Sequence, residues 1–117
     1  MTHDHFHLVD HPLIKHKLAI LRTKTTPQKE FRELVHEITL LLAYEATRDL
    51  SLVDNTIDTP LERCVAPCLP TDNKPVIVPI LRAGLGMVDA FLQLLPEARV
   101  GHVGIFRNET TLQPQSY

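Results

Sequence analysis

Residues 74–95 read KPVIVPILRAGLGMVDAFLQLL, and the fold turns on this stretch. Val76, Ile77, Val78, Ile80 and Leu81 make a short, mostly β-branched apolar run, the pattern of a parallel strand buried on both faces. From Leu85 the apolar residues Leu85, Val88, Leu92 and Leu95 recur at helical spacing. The chain therefore passes from strand to helix through Arg82, Ala83, Gly84 and Leu85. The first N–H groups of a helix lack intrahelical partners and sit at the positive end of its dipole, so an anion fits there. Glycine permits close backbone approach, and the Arg82 guanidinium can fork onto phosphate oxygens. The plainer reading is a turn that uses glycine only for geometry, with a solvated arginine. Neither common nucleotide fingerprint is present: no Lys-Ser or Lys-Thr follows, and Gly84-Leu85-Gly86 has no third glycine.

Outward from this unit, Pro96 stops the helix and Arg99 to Arg107, RVGHVGIFR, reads as a second strand. Strand, helix and strand make a right-handed parallel crossover. Pro79 conflicts with a central strand because proline cannot donate to a ladder, and a strand end or bulge there resolves the conflict. Asn108 to Thr111 has turn composition, and the sequence runs on through LQPQSY to Tyr117.

Upstream, Pro12 is suited to the first turn of a helix running to Arg22, with Leu13, Ile14, Leu18 and Leu21 as its buried face. TKTTPQ breaks it. Thr25 or Thr26 then caps a second helix, with Pro27 in its first turn and a stripe of Phe31, Leu34, Val35, Ile38, Leu41 and Leu42. This helix is expected to reach about Asp49, with Glu45 and Arg48 paired on its exposed face. Leu50 to Asn73 reads as extended and turn structure, and the TDNKP at Thr71 to Pro75 is the expected hairpin closure, beside a turn at Asp58 to Pro60.

Composition bounds the rest. The 117 residues suit one domain, and 44% hydrophobic content marks a globular chain. A net charge of −2 gives no basic excess for nucleic acid or an anionic membrane. No apolar run reaches membrane-spanning length and MTHDHFHLVD is not a signal peptide, so a cytoplasmic location is expected. Cys64 and Cys68 read as half-buried thiols, not as a zinc pair or a disulfide framework. His3, His5, His7, His11 and His16 crowd the first residues; a mobile terminus seldom fixes metal geometry, so residues 1–10 are read as a tail.

HPLIKHKL, KEFRELVHEITLLLAYEATRDL, VPILRAGLGMVDAFLQLLPEARVGHVGIFR and ETTLQP, in this order, resemble the N-terminal half of the uracil phosphoribosyltransferases. The resemblance implies an α/β chain with a partial type I phosphoribosyltransferase fold: N-terminal helices, then the first strands and crossover helix of a parallel sheet. It implies transfer of phosphoribosyl from 5-phosphoribosyl 1-diphosphate to uracil, giving UMP and diphosphate in pyrimidine salvage, with Mg²⁺ accompanying the diphosphate. By the resemblance Arg82, Ala83 and Gly84 form the diphosphate loop. Arg107 lies at the base of a hairpin and reaches the same ligand. No residue is singled out as a catalytic acid, base or nucleophile, and none as a metal ligand. Family members associate as homo-oligomers, and some are activated by GTP, for which no residue here is assigned.

The family's 5-phosphate cradle, of the form DPMLATGGS, and its uracil-reading hood have no counterpart in the sequence. An incomplete domain over residues 1–117, inactive alone, is therefore expected. The competing reading is a non-catalytic relative that pairs with a full-length enzyme. A regulator of pyrimidine genes with the same fold is a further alternative, against which LAYEATRD and RAGLGMVD speak.

Overall fold

The computed structural model describes residues 5–117. Helix α1 (Pro12–Arg22) begins as its proline dictates, and the His11 side chain caps it by accepting from the Leu13 N–H at 3.1 Å. His3 and the first residues of the expected tail lie outside the described residues. On α1 only Ile14 is buried; Leu13 and Leu18 are exposed, correcting the four-residue face, while Leu21 and Ile20 are half-buried. The helix has one neighbour to pack on, so its apolar side is narrower than its sequence.

Helix α2 (Gln28–Ala46) is that neighbour. Its N-cap is Pro27, with no side-chain cap, so neither Thr25 nor Thr26 plays that part. Thr26 instead donates its hydroxyl to the Ile20 carbonyl at 2.5 Å, tying the linker to the end of α1. The helix stops at Ala46, short of Asp49, where the Thr47 hydroxyl bonds the Ala43 carbonyl at 2.8 Å. Arg48 grips Glu45 with two bonds of 3.0 and 2.8 Å on the exposed face, as expected, and holds its carboxyl below the usual range.

Strands β1 (Val53–Asp58) and β2 (Arg63–Cys68) form an antiparallel hairpin. Its closure is Thr59–Glu62, not the Thr71–Pro75 segment. Thr59 bonds Glu62 through both its backbone N–H, at 2.8 Å, and its hydroxyl, at 2.6 Å. TDNKP instead carries the chain from β2 into the sheet. Cys64 and Cys68 are free and half-buried. β1 is exposed throughout, and the molecule measures 63 × 32 × 31 Å. Its radius of gyration, 18.5 Å, exceeds the roughly 13 Å of a compact chain of this length.

The apolar run at Val76 is two short strands, β3 (Val76–Ile77) and β4 (Ile80–Leu81), and RVGHVGIFR is likewise β5 (Arg99–Val100) and β6 (Val103–Arg107). β3 pairs parallel with β5 and β4 with β6. The carbonyls of Pro75, Ile77 and Pro79 accept from Arg99, Gly101 and Val103, so the backbone groups of these odd-numbered residues face the partner strands. Pro79 has no N–H to return, and the ladder lapses there. Between these strand pairs runs α3 (Leu85–Leu94), which completes the crossover and packs on α2. A final strand, β7 (Pro114–Ser116), pairs antiparallel with β6.

Among the described residues the buried set is small: Pro79 and Gly104 in the sheet, and Ile14, Leu34, Thr39, Ala43 and Ala90, with Ala43 and Ala90 wholly enclosed. Alanines there leave no room for longer side chains between close helices. Ala90→Leu is expected to cost on the order of 1–3 kcal/mol through overpacking, read as a lower urea midpoint. An unchanged midpoint would mean that α3 can slide away from α2. Among the described residues no helix is long and apolar enough to cross a membrane.

Candidate functional site

Arg82 and Arg107 stand at or just beyond the carboxyl ends of the neighbouring parallel strands β4 and β6. In open α/β sheets this is the rim where ligands bind. Both side chains are exposed, and among the described residues neither has a hydrogen-bonding or carboxylate partner. Two uncommitted guanidiniums at one sheet end suit an anion carrying several charges.

The turn between β4 and α3 is held by its own backbone. Gly84 donates to the Ile80 carbonyl at 2.8 Å, Leu85 to Arg82 at 3.1 Å and Met87 to Gly84 at 3.1 Å. Several amides that the sequence suggested were free for a ligand are thus used in closing the turn. The Ala83 and Gly86 amides take no part in these bonds. Gly84 is the N-cap of α3, with φ −69° and ψ −13°, so left-handed backbone is not why it is glycine. The reason is space: a Cβ there would lie 2.8 Å from both the nitrogen and the oxygen of Ile80. The Leu81–Arg82 peptide is cis.

Arg107 ends β6 opposite Pro114 of β7. The turn beyond it is tied by Asn108, whose side-chain oxygen accepts from the Thr110 and Thr111 amides at 2.9 Å each. Arg107 therefore sits beside the turn of the β6–β7 hairpin, at the end opposite the Gly104–Tyr117 pair, and not at its base. Sequence reasoning from composition alone gave this residue no role, because nothing around it marks a site until β4 and β6 are paired.

This strand, turn, helix and strand order, with its two arginines, lies within residues 8–117, which match the family model described as uracil phosphoribosyltransferase. The chain belongs to the uracil phosphoribosyltransferase family. It is 54% identical over 112 residues to the uracil phosphoribosyltransferase of Levilactobacillus brevis, covering 96% of this chain and 53% of that protein. It is 55% identical over 112 residues to the enzyme of that name from Lactococcus lactis subsp. cremoris, and 57% identical over 110 residues to that of Thermosipho melanesiensis. The solved AQ2163 protein from Aquifex aeolicus superposes with a TM-score of 0.84 at 38% identity, over 93% of this chain and 52% of that one. The chain spans about half the length of the curated relatives it matches.

An apolar cleft of about 920 Å³ adjoins the diphosphate-loop candidate, lined by the Pro75–Gly84 segment, α3 and the end of α2. Among the described residues no three metal-ligating side chains gather at one place. The donors at the strand ends are guanidiniums and amides, which suit an anion and not Mg²⁺. The residues present therefore do not fit a resident metal.

Proposed function

We propose that these residues form the diphosphate-binding end of a uracil phosphoribosyltransferase, which moves phosphoribosyl from 5-phosphoribosyl 1-diphosphate to uracil and releases diphosphate in pyrimidine salvage. The observation that carries this reading is the placement of Arg82 and Arg107 at the carboxyl ends of the paired strands β4 and β6, both without partners among the described residues, with the Gly84 turn following Arg82. As the bond from the anomeric carbon to the diphosphate breaks, charge grows on the leaving oxygens and the ribose becomes oxocarbenium-like. Groups fixed where that charge develops lower the barrier by position and electrostatics. Arg82 and Arg107 are assigned to the leaving diphosphate, and the Ala83–Gly84 backbone to its close approach. Mg²⁺ would arrive with the diphosphate and not on a protein site. GTP has no assigned residue, and self-association follows the family.

The chain alone is expected to bind the diphosphate end without forming UMP, since it supplies neither a 5-phosphate cradle nor a base site. Each charge-assisted bond contributes on the order of 1.5–3 kcal/mol. Arg82→Ala should therefore weaken binding of 5-phosphoribosyl 1-diphosphate about 10- to 100-fold in a calorimetric titration. Undiminished binding would remove Arg82 from the site. UMP made by the chain alone would overturn the account of what it lacks.

A further inference from the structure

Arg107 makes no backbone bond of its own across the hairpin that carries it. Gly104 and Tyr117 bond each other through both backbones, so alternation gives the next bonded positions of β6 to Phe106 and Asn108 and turns the N–H and C=O of Arg107 away from β7. Pro114, opposite Arg107, has no N–H to offer. On the other side the ladder with β4 ends at Leu81 and Gly104, and Ile105 to Arg107 overhang where the facing chain has turned into α3. The place of Arg107 is therefore set by its neighbours in sequence.

Asn108 is the neighbour that is tied. Its N–H donates to the Gln113 carbonyl at 2.9 Å, its carbonyl accepts from the Leu112 N–H at 2.7 Å, and its Oδ1 accepts from the Thr110 and Thr111 amides at 2.9 Å each. One residue thus closes the hairpin and folds the loop beyond it. The loop keeps this form against a local cost. Leu112 has φ 59°, a left-handed backbone that leucine rarely adopts, and such a residue persists only where its surroundings over-determine it. The Leu112 N–H is itself bonded to Asn108, so the residue that ends next to Arg107 also holds the strained position. Strained backbone of this kind gathers at ligand clamps and active sites.

We propose that Asn108 is a positioning residue for Arg107: its bonds to Thr110, Thr111, Leu112 and Gln113 fix the backbone from which the Arg107 guanidinium reaches the diphosphate. In this role Asn108 touches no substrate. It acts by preorganisation, since an arginine carried on a fixed backbone gives up less freedom when it closes on an anion. The role rests on the proposed function, because it needs a diphosphate at Arg107; the tied turn itself does not.

The test titrates the chain with inorganic diphosphate in a calorimeter. Asn108→Ala removes the acceptor of two amides and should weaken binding about tenfold. Asn108→Asp keeps an oxygen for the same two amides, as either residue does in an Asx turn, and at high salt, which screens the added exposed charge, it should bind within about twofold of the parent. A further pair of variants separates positioning from general loosening. In an Arg107→Ala background, where binding rests on Arg82, the added change Asn108→Ala should weaken binding by less than about twofold. Equal losses with and without Arg107 would show that Asn108 serves only the fold, and would overturn the proposal. So would Asn108→Ala binding like the parent, or Asn108→Asp binding as weakly as Asn108→Ala. The proposed function fails differently: a parent chain that binds no diphosphate sinks that reading and this role with it, whereas a parent that binds and loses nothing on Asn108→Ala sinks the role alone.

Discussion

Gly84→Ala is expected to destabilise the chain by on the order of 3 kcal/mol and to remove the binding of 5-phosphoribosyl 1-diphosphate proposed for it. The backbone at Gly84 is right-handed, so alanine could adopt its dihedrals, and in an open position the exchange would stabilise through the unfolded state. Space reverses the sign. The added methyl would lie 2.8 Å from the Ile80 nitrogen and oxygen and 3.2 Å from Pro79 Cβ. Two of these are backbone atoms of a strand held in register with β6, and they cannot rotate away as a side chain can. Relief requires breaking the 2.8 Å bond from Gly84 to Ile80, which closes the turn around Arg82.

Gly86→Ala is the control. Its methyl would meet only Val35 Cγ1 at 3.8 Å, an ordinary contact, inside a helix where glycine costs about 0.5–1 kcal/mol relative to alanine. Urea denaturation should place the two variants on opposite sides of the parent. If Gly84→Ala proved as stable as Gly86→Ala, the tight turn would not be what organises the site.

These two glycines show how far the sequence could be read. Their neighbourhood identified the turn, but both look alike as letters; only the approach of Ile80, four residues back, separates them. Local punctuation was legible. Pro12 set the start of α1, Pro96 the limit of α3, and Pro79 the break in the apolar run, because each removes a donor or fixes a dihedral within its own element. What failed depended on partners elsewhere. TDNKP has the composition of a hairpin turn, yet Thr59 closes the hairpin with its hydroxyl and amide. His11 caps α1 through its ring nitrogen, a role that one histidine among five near the N-terminus does not reveal by its letter. β7 has almost no strand signal, since PQS is polar and headed by proline; its pairing with β6 makes it a strand. Arg82 was legible as chemistry because its turn is local, whereas Arg107 acquired a role only through the family resemblance and the pairing of β4 with β6.

The β6–β7 hairpin that carries Arg107 makes a prediction about its latch. Gly104 and Tyr117 exchange backbone bonds, Gly104 to Tyr117 at 2.9 Å and Tyr117 to Gly104 at 2.6 Å. The Tyr117 ring lies over the buried Gly104, and its centroid is 5.8 Å from that of Phe106. An aromatic laid over a glycine on the facing strand covers backbone that the glycine leaves bare. A methyl at position 104 would overlap the ring, so Gly104→Ala should expel it, losing the tilted pair with Phe106 as well. We expect a cost of about 1–3 kcal/mol, concentrated in the hairpin. Amide exchange at Gly104 and Tyr117 should quicken at least tenfold. The diphosphate contact proposed for Arg107 should then weaken, because its place beside the hairpin turn depends on β7 staying paired opposite it at Pro114. Tyr117→Gly alone should also loosen the hairpin, but in that background the further change Gly104→Ala meets no ring and should cost little. The double variant would then be more stable than the sum of the single changes implies, by a coupling of similar size. Strict additivity would show that the ring does not hold the hairpin and that Arg107 is positioned by the Asn108 turn alone.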